Sequence, residues 1–288
     1  ISGTSCRCFR IPSACSAYLE NSRVAGDWTR DQFCALTAEA RRSMGLRAVQ
    51  LRADIPLCTP RARGAPILAL EGVSLFHRKR TVLQNLSLQA ARGDVIAVIG
   101  RSGAGKTTFA RALCGLHRET AGKYRWMGDP QKPAQRMKRA CMVMQDVNYQ
   151  LFAESVEAEC GFGIRHPDAA LIDRTLDDLA LSPLRKRHPN TLSGGQKQRL
   201  AVAVSMVCGK ELLVFDEPTS GLDFDSMERL SAFIRALSES GRIIFVVTHD
   251  YEFVLRTCTR VLYLNDGAVQ QDTSVSSETI PIIEEVLL

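Results

Sequence analysis

The sequence predicts an α/β fold in which helices cover both faces of a largely parallel sheet. From residue 67 onward, short apolar runs of strand length alternate with stretches of helical character, as in successive strand–helix–strand units. The apolar runs are ILALEGVSL, VLQNLSLQ, DVIAVIG, RACMVMQ, ELLVFDE, RIIFVVT and RVLYLN. The helical stretches are Lys106–Gly115, Ala169–Leu181, Ser193–Cys208 and Ser226–Ser238. Because such sheets bind ligands at the carboxyl ends of their strands, we expect the functional residues there.

The chain divides near residue 64 into a leader, residues 1–64, and a main domain, residues 65–288. Its length of 288 residues exceeds that of a typical single domain. The leader holds ten Arg and five acidic residues, so nearly all of the formal net charge of +6 lies in it. We interpret these charges as a solvated face and expect no nucleic-acid partner. The Pro- and Arg-rich stretch Pro56–Pro66 is predicted to be a linker.

The sequence lacks a membrane-spanning run, a secretory signal and a CxxC pair, and each of these gaps argues against one class of protein. No apolar run reaches the roughly 18 to 20 residues that cross a bilayer, so the chain is predicted to be soluble. The first residue is Ile1 and no long apolar stretch follows it, which predicts a fragment or processed product without a secretory signal. The ten cysteines include no CxxC pair, which argues against a zinc site or redox motif and favours buried or incidental thiols.

A phosphate-binding loop is predicted after the strand VIAVI, where GRSGAGKT satisfies the pattern GxxxxGK[ST]. Its glycines allow backbone N–H groups to converge on the β- and γ-phosphates of a nucleotide, and the following helix presents its positive end to them. Lys106 is predicted to neutralise phosphate charge and Thr107 to give a hydroxyl to Mg²⁺. The predicted nucleotide-binding residues here are Gly100, Arg101, Ser102, Gly103, Ala104, Gly105, Lys106, Thr107 and Thr108.

Two acidic residues, Asp216 and Glu217, end the apolar run that begins at Leu212. The run predicts a buried strand that delivers both carboxylates to its carboxyl end, beside the phosphate loop. Asp216 is predicted to hold Mg²⁺ through its water shell, and Glu217 to act as the general base on the attacking water. The pair therefore predicts hydrolysis of the nucleotide as well as binding.

The segment TLSGGQKQRL predicts a second helix start that is open to a phosphate. Ser193 can cap the helix that continues through RLAVAVSMV, while Gly194 and Gly195 leave its N-terminus accessible and Gln196 completes the motif. Together with the phosphate loop, this segment resembles the ATP-binding cassette (ABC) family. In that family the LSGGQ signature contacts the γ-phosphate of ATP held by the partner cassette.

The resemblance covers Ile67 to about Asp272. It implies a P-loop NTPase fold with an antiparallel β subdomain and a helical signature subdomain, and ATP and Mg²⁺ as cofactors. Gln145 resembles the Q-loop glutamine that reaches Mg²⁺ and the attacking water. Asp223, in SGLD, resembles the D-loop residue at the dimer interface, and His249 resembles the switch histidine near the γ-phosphate.

The expected adenine contact departs from the family pattern. Cassettes stack the base on an aromatic residue about two dozen positions before the phosphate loop, commonly a Tyr. His77 occupies that position in this chain and Phe76 precedes it. Either ring could stack, but the alternation of a strand allows only one of them to face the site.

The resemblance also implies partners. Each ATP is enclosed between one phosphate loop and the other cassette's signature, so a second cassette is needed: a first half of the same protein, a separate ATPase or a second copy.

The segment from Met142 to Glu159 resembles the ATPases of energy-coupling factor transporters, where Q-x-P-D-x-Q-L-F precedes a TVEEE-like helix start, although Val147 and Asn148 replace Pro and Asp. That likeness implies a transmembrane coupling subunit, a membrane subunit that captures a vitamin or metal ion for uptake, and a peripheral position on the cytoplasmic face of the membrane.

The leader contains a copy of a later segment. Residues 18–27 match residues 263–272 at a constant offset of 245, with Tyr, Leu, Val and Asp identical. Because the second copy is the predicted terminal hairpin of the cassette, a common origin predicts that the leader is the tail of a preceding cassette. The alternative is a disordered leader.

Other functions remain open at this point. A non-transport cassette of the translation-factor type is the alternative, but it would need a second full cassette and a long charged arm, and neither is visible. A coiled-coil chromosome-maintenance ATPase would show sustained heptads between Lys106 and Thr191, which that segment lacks. A damaged gene remnant would lack ATPase activity. The cargo is open because other subunits would select it.

Overall fold

The computed structural model describes residues 16–20, 23–29, 32, 35–37, 39, 40, 44, 55, 57, 58 and 64–288. Its strands, in chain order, are β1 (Ser16–Glu20), β2 (Arg23–Trp28), β3 (Pro66–His77), β4 (Arg80–Ala91), β5 (Val95–Ile99), β6 (Thr120–Trp126), β7 (Asp129–Pro130), β8 (Ala140–Val143), β9 (Leu212–Asp216), β10 (Ile243–Val247), β11 (Arg260–Asn265) and β12 (Ala268–Ser274). Its described helices are α1 (Lys106–Leu113), α2 (Pro133–Arg139), α3 (Val156–Gly161), α4 (Ala169–Asp178), α5 (Gly194–Val207), α6 (Phe224–Glu239), α7 (Tyr251–Thr257) and α8 (Ile280–Leu287). Short 3-10 turns occupy Val147–Tyr149, Ser182–Leu184 and Pro189–Thr191.

The largest sheet has six strands in the order β12-β11-β5-β10-β9-β8. Its neighbouring strands are parallel except for β12, which is antiparallel to β11. Every residue of β5, β9 and β10 is buried. The predicted α/β fold with a largely parallel sheet is therefore confirmed.

Side chains of the central strands alternate between two hydrophobic cores. In β5, Val95, Ala97 and Ile99 face the core shared with α4 to α8, whereas Ile96 and Val98 face the core shared with α1 and the second sheet. Strands β9 and β10 alternate in the same way. Because both faces are covered, these strands have no solvent side, which is why the sequence shows unbroken apolar runs.

The second sheet is antiparallel and has the strand order β4-β3-β6-β7. Leu70, Leu75, Leu83 and Leu86 project from its two long strands and are at most 2% exposed. They pack on the same core as α1. This sheet is the antiparallel β subdomain that the family resemblance implies, and the helices from α3 to α5 supply the predicted helical part.

Four of the described helices match the four predicted stretches, with small shifts at their ends. Helix α6 begins at Phe224, two residues earlier than predicted, because the Asp223 carboxylate caps it by accepting a hydrogen bond from Ser226 N at 2.8 Å. Helices α2, α7 and α8 did not emerge from the sequence because each has two turns or little more, too few for a clear periodicity. No described helix is both long and apolar enough to span a bilayer.

The stretch predicted to be a linker is partly docked on the main domain. Cys58 N donates a hydrogen bond to Leu255 O at 2.8 Å. Ile55 and Leu57 pack against the core on the α7 side of the sheet. Pro66, the last residue of the predicted linker, belongs to β3. Leu57 and Cys58 of this stretch, with Ile55 just before it, therefore contact the main domain, whereas residues 64–66 are exposed.

The leader contains a hairpin whose backbone pairing repeats that of the terminal hairpin. Strands β1 and β2 pair over five positions, from Ser16 opposite Trp28 to Glu20 opposite Arg23, with a register shift after Tyr18. When 245 is added to each residue number, all five pairs become pairs of β11 and β12, and the register shift falls after Tyr263. The sequence repeat therefore has the same strand register and the same irregularity in both copies.

The interior of the parallel sheet should dominate stability. Phe245 on β10 is fully buried and meets Phe109 of α1 edge-on, with ring centroids 5.9 Å apart. We predict that Phe245→Ala lowers the free energy of unfolding by about 3–5 kcal/mol, because it removes buried surface and leaves a cavity. Phe162→Ala, at a 61% exposed position, is the matched control and should change it little. Urea denaturation would measure both, and equal effects would contradict the described packing.

Candidate functional site

Four of the predicted site segments lie at one edge of the six-stranded sheet. Strands β5, β10, β9 and β8 are adjacent and parallel, so their carboxyl ends open on the same edge. The residues that follow these ends, within two positions, are Gly100, His249, Glu217 and Gln145. The fold therefore brings together residues that are far apart in the sequence.

The predicted phosphate loop turns from β5 into α1 and depends on its glycines. Gly100, Gly103 and Gly105 have positive φ angles of 147°, 84° and 91°. A Cβ atom at Gly100 would lie 2.1 Å from the backbone oxygen of Leu264. At Gly105 it would lie 2.9 Å from Val82 Cγ1. The sequence showed the glycines but not these two neighbours, which come from distant strands.

Lys106 is a partly desolvated cation inside this loop. Its Nζ donates hydrogen bonds to Gly100 O at 2.7 Å and to Arg101 O at 3.0 Å. Burial lowers the pKa of the Lys106 ammonium group, while the nearby carboxylates of Glu217 and Asp216 act in the opposite direction. An anion bound in the loop would favour the charged form of Lys106 further.

Asp216 and Thr107 offer two oxygen atoms beside the loop. Thr107 Oγ1 lies 3.4 Å from Asp216 Oδ1, and Asp216 is buried. Burial raises the pKa of the Asp216 carboxyl group and the Glu217 charge adds to the rise, whereas the Thr107 hydroxyl opposes it. A bound cation would favour the ionised carboxylate. Because Mg²⁺ prefers oxygen ligands and keeps positions for phosphate and water, this pair fits the predicted metal site.

Glu217 is held in an unusual backbone conformation at the end of β9. Its φ angle is 52°, and its N–H donates to Val247 O at 2.8 Å. Its carboxylate Oε2 lies 2.8 Å from His249 Nδ1. Positive φ angles are uncommon outside glycine and often occur at functional sites. The turn brings a carboxylate and an imidazole into contact, an arrangement suited to proton transfer with a water molecule.

Gln145 follows the edge strand β8. Val143 is paired with Phe215, so Gln145 continues to the level of Glu217 in the neighbouring strand. Gln145 is exposed, and its carboxamide can therefore approach a ligand at this edge.

The segment after Gln145 presents aromatic rings on a firmly held backbone. Tyr149 and Phe152 are 74% and 67% exposed. Gln150 Oε1 accepts a hydrogen bond from Met144 N at 2.8 Å. The buried Glu159 carboxylate accepts from Phe152 N at 2.7 Å and from the next amide at 2.6 Å. Sequence reasoning noted Gln150 and Glu159 only as matches to a pattern and missed this anchoring role.

The predicted signature begins helix α5 and is not among the residues that follow the strand ends. Ser193 caps α5: its Oγ accepts from Gln196 N at 3.4 Å, and Gln196 Oε1 accepts from Ser193 N at 2.9 Å. An added Cβ at Gly194 or Gly195 would meet no atom within 4 Å, so the helix start is open to a ligand. Helix α5 packs on α3, α4, α6 and β8.

Two predicted contacts lie in other parts of the chain. Asp223 is exposed and its carboxylate caps α6. His77 is exposed at the end of β3, and alternation puts it on the face of Leu75, which packs on the α1 core. Phe76 is half-buried. The strand alternation supports His77 rather than Phe76 as the ring that faces the phosphate-loop side.

The sequence of this chain is similar to a family model and to several known proteins. A model of the ABC transporter family matches residues 83–220. An ABC transporter ATP-binding protein of Treponema denticola is 43% identical over 263 residues, which cover 88% of this chain and 53% of the relative. A protein of the same description from Methanosarcina acetivorans is 30% identical over 265 residues, covering 89% and 50%. The chain thus spans about half the length of these relatives.

Two solved structures share the fold. One is cbiO1 of Clostridium perfringens, part of the ABC transporter complex cbiONQ, with a TM-score of 0.66 and 24% identity over 77% of this chain and 92% of that one. The other is a bacterial Atm1-family ABC exporter with ATP bound, with a TM-score of 0.65 and 25% identity over 82% of this chain and 43% of that one. At these identities the likeness shows the fold alone.

The contact at Gly100 should make that residue irreplaceable. We predict that Gly100→Ala weakens ATP binding at least about tenfold, because a Cβ so close to Leu264 O forces the loop out of position. Gly64→Ala is the control, since its Cβ would meet no atom within 4 Å. Titration with a fluorescent ATP analogue would measure both, and unchanged affinity in Gly100→Ala would contradict the described loop geometry.

Proposed function

The chain belongs to the ABC transporter family, and from that premise we propose that it binds MgATP and hydrolyses it to drive a membrane transporter. The observation that carries the proposal is the meeting of the phosphate loop, Asp216, Glu217, His249 and Gln145 at one edge of the sheet. Binding alone would need only the loop. The carboxylate beside the histidine adds the base that hydrolysis requires.

The position of each residue at the site suggests its proposed role. Residues 100–108 bind the phosphates through backbone N–H groups and Lys106, and His77 stacks on the base. Thr107, Asp216 and Gln145 hold Mg²⁺, which when bound offsets phosphate charge. Glu217 accepts a proton from the attacking water, and His249 orients that carboxylate and contacts the γ-phosphate. Water attacks the γ-phosphorus, and ADP and phosphate leave.

We further propose that a second cassette completes the site. Ser193, Gly194, Gly195 and Gln196 form a helix start that does not follow the end of a sheet strand. Its proposed ligand is ATP on another cassette, with Asp223 at the interface between them. The openness of this helix start supports the arrangement, because an added Cβ at Gly194 or Gly195 would meet no atom within 4 Å. Opening and closing of the pair would then convert hydrolysis into motion.

The leader is proposed to be the end of that other cassette, joined to residues 65–288 by the segment around residue 58. The identical register and irregularity of the hairpins β1–β2 and β11–β12 support a common origin. The greater length of the relatives, about twice the matched region, leaves room for a second cassette in them. A separate ATPase or a second copy of this chain remains the alternative partner.

A transmembrane coupling subunit is the proposed membrane partner, with this chain on the cytoplasmic face. The exposed rings of Tyr149 and Phe152 follow Gln145 by four and seven residues, so an apolar partner segment seated on them would be linked to the nucleotide site through a short stretch of chain. The resemblance of residues 142–159 to energy-coupling factor ATPases supports uptake of a vitamin or metal ion delivered by a capture subunit.

Loss of the proposed base gives the most direct test of hydrolysis. We predict that Glu217→Gln keeps ATP affinity but lowers the hydrolysis rate by about 10²- to 10⁴-fold, because the amide cannot accept the proton of water. Glu278→Gln, at an exposed residue near the C-terminus, is the matched control and should match the unaltered protein. Phosphate release in the assembled protein would be measured; an unchanged rate in Glu217→Gln would reject this base.

The exposed rings give a separate test of the membrane partner. We predict that Phe152→Asp reduces the fraction of the protein that sediments with membranes of the producing cells by several-fold, because a charge is placed in an apolar contact. Met127→Asp is the control, since Met127 is equally exposed at 66% but lies in the turn between β6 and β7. Equal sedimentation of both variants would reject this docking surface.

A further inference from the structure

Two partly exposed thiols meet where the edge strand of the main sheet passes the end of the signature helix. Cys141 is the second residue of β8, and Cys208 is the C-cap of α5. Both side chains pack against the same hydrophobic core, and each thiol shifts the pKa of the other. The two segments run side by side: Glu211 N donates to Arg139 O at 3.1 Å, and Lys210 Nζ donates to Lys138 O at 2.7 Å.

Cys208 has more positive surroundings than Cys141. Its Sγ donates a hydrogen bond to Ser205 O at 3.0 Å. The interaction with Cys141 lowers the pKa of Cys208; burial opposes this shift, while the Lys210 backbone N–H and the cations of Arg242 and Lys210 add to it. The pKa of Cys141 is raised, so Cys208 is the attacking sulfur in the proposal below.

The other cysteines of the main domain differ from this pair. Cys114 and Cys160 are buried, and burial raises the pKa of each to about 12. Cys258 is fully enclosed and its pKa is raised for the same reason. Thiols of that kind fit the expectation of inert buried cysteines. Cys141 and Cys208 do not, because they are partly exposed, lie on neighbouring segments and are beside positive charge.

We propose that Cys141 and Cys208 form a redox-responsive dithiol whose oxidation joins β8 to the end of α5. A peroxide is the oxidant: the Cys208 thiolate attacks one peroxide oxygen, giving a sulfenic acid and releasing the other oxygen as water or alcohol. The Cys141 sulfur then attacks the sulfenic sulfur, the S–S bond forms and a second water leaves. Two thiols are oxidised and one peroxide is reduced. A thiol reductant reverses the reaction.

The position of the link determines its effect. Strand β8 ends two residues before Gln145, and α5 begins directly after Ser193. A covalent bond between them would restrict movement of the signature helix relative to the strand that leads to Gln145. If the proposed ATPase function holds, oxidation would then slow the opening and closing on which turnover depends.

Peptide mapping tests whether the bond forms. The full chain is treated with hydrogen peroxide, alkylated and digested with trypsin without reduction; we expect peptide 140–165 to be linked to peptide 200–210. Because Cys160 lies in the first of these peptides, Cys160→Ser is the matched control and should still give the link, whereas Cys141→Ser and Cys208→Ser should not. Absence of the link in the unaltered protein, or its survival in Cys141→Ser, would overturn the proposal.

Hydrogen exchange tests whether the bond restricts motion, with no need for ATP. We expect exchange of the amides of residues 144–152 and 194–199 to slow by about tenfold on oxidation and to recover with dithiothreitol. Peroxide should not change exchange in Cys208→Ser. A disulfide that leaves exchange unchanged would overturn the proposed tether. An inactive reduced protein would instead count against the ATPase proposal and leave these two results intact.

Discussion

The burial of β5, β9 and β10 on both faces is the constraint on which the rest of the molecule depends. Side chains of these strands alternate between two cores, one on each side of the sheet, and the parallel pairing of the strands sets their ends in line. Their carboxyl ends are consequently fixed next to each other. The phosphate loop, the acidic pair and His249 lie together for that reason, and not because of direct contacts among them alone.

Two residues at this edge have uncommon backbone surroundings or conformations. Gly100 is pressed against the Leu264 carbonyl, and Glu217 adopts a positive φ angle without being glycine. Both strained positions immediately follow fully buried strands, which supply the packing energy that holds them. The signature helix α5 packs on β8 and on α3, α4 and α6, and its open start is proposed to serve another site.

Sequence reasoning recovered the parallel sheet and the segments of the site because both depend on local patterns: apolar runs, glycine spacing and the acidic pair after Phe215. It could not find contacts made by residues far away in the chain. The Leu264 carbonyl at Gly100 and the Glu159 carboxylate beneath Phe152 are examples. The cysteines show the same limit, since without a CxxC spacing nothing in the sequence indicated that Cys141 meets Cys208. The repeat in the leader is a weak match by sequence alone. The shared strand register of the two hairpins strengthens it, and that register is visible only in the structure.

The central claim is that the signature acts on ATP held by another cassette, and one comparison tests it most directly. Gly194→Glu is suitable because an added Cβ there meets no neighbouring atom and an acidic residue is tolerated at a helix start. Isothermal titration of the isolated chain should give the same affinity for ATP as the unaltered protein, while hydrolysis in the assembled pair falls to background. Weakened ATP binding by the isolated variant would contradict the account, because the signature would then serve its own phosphate loop.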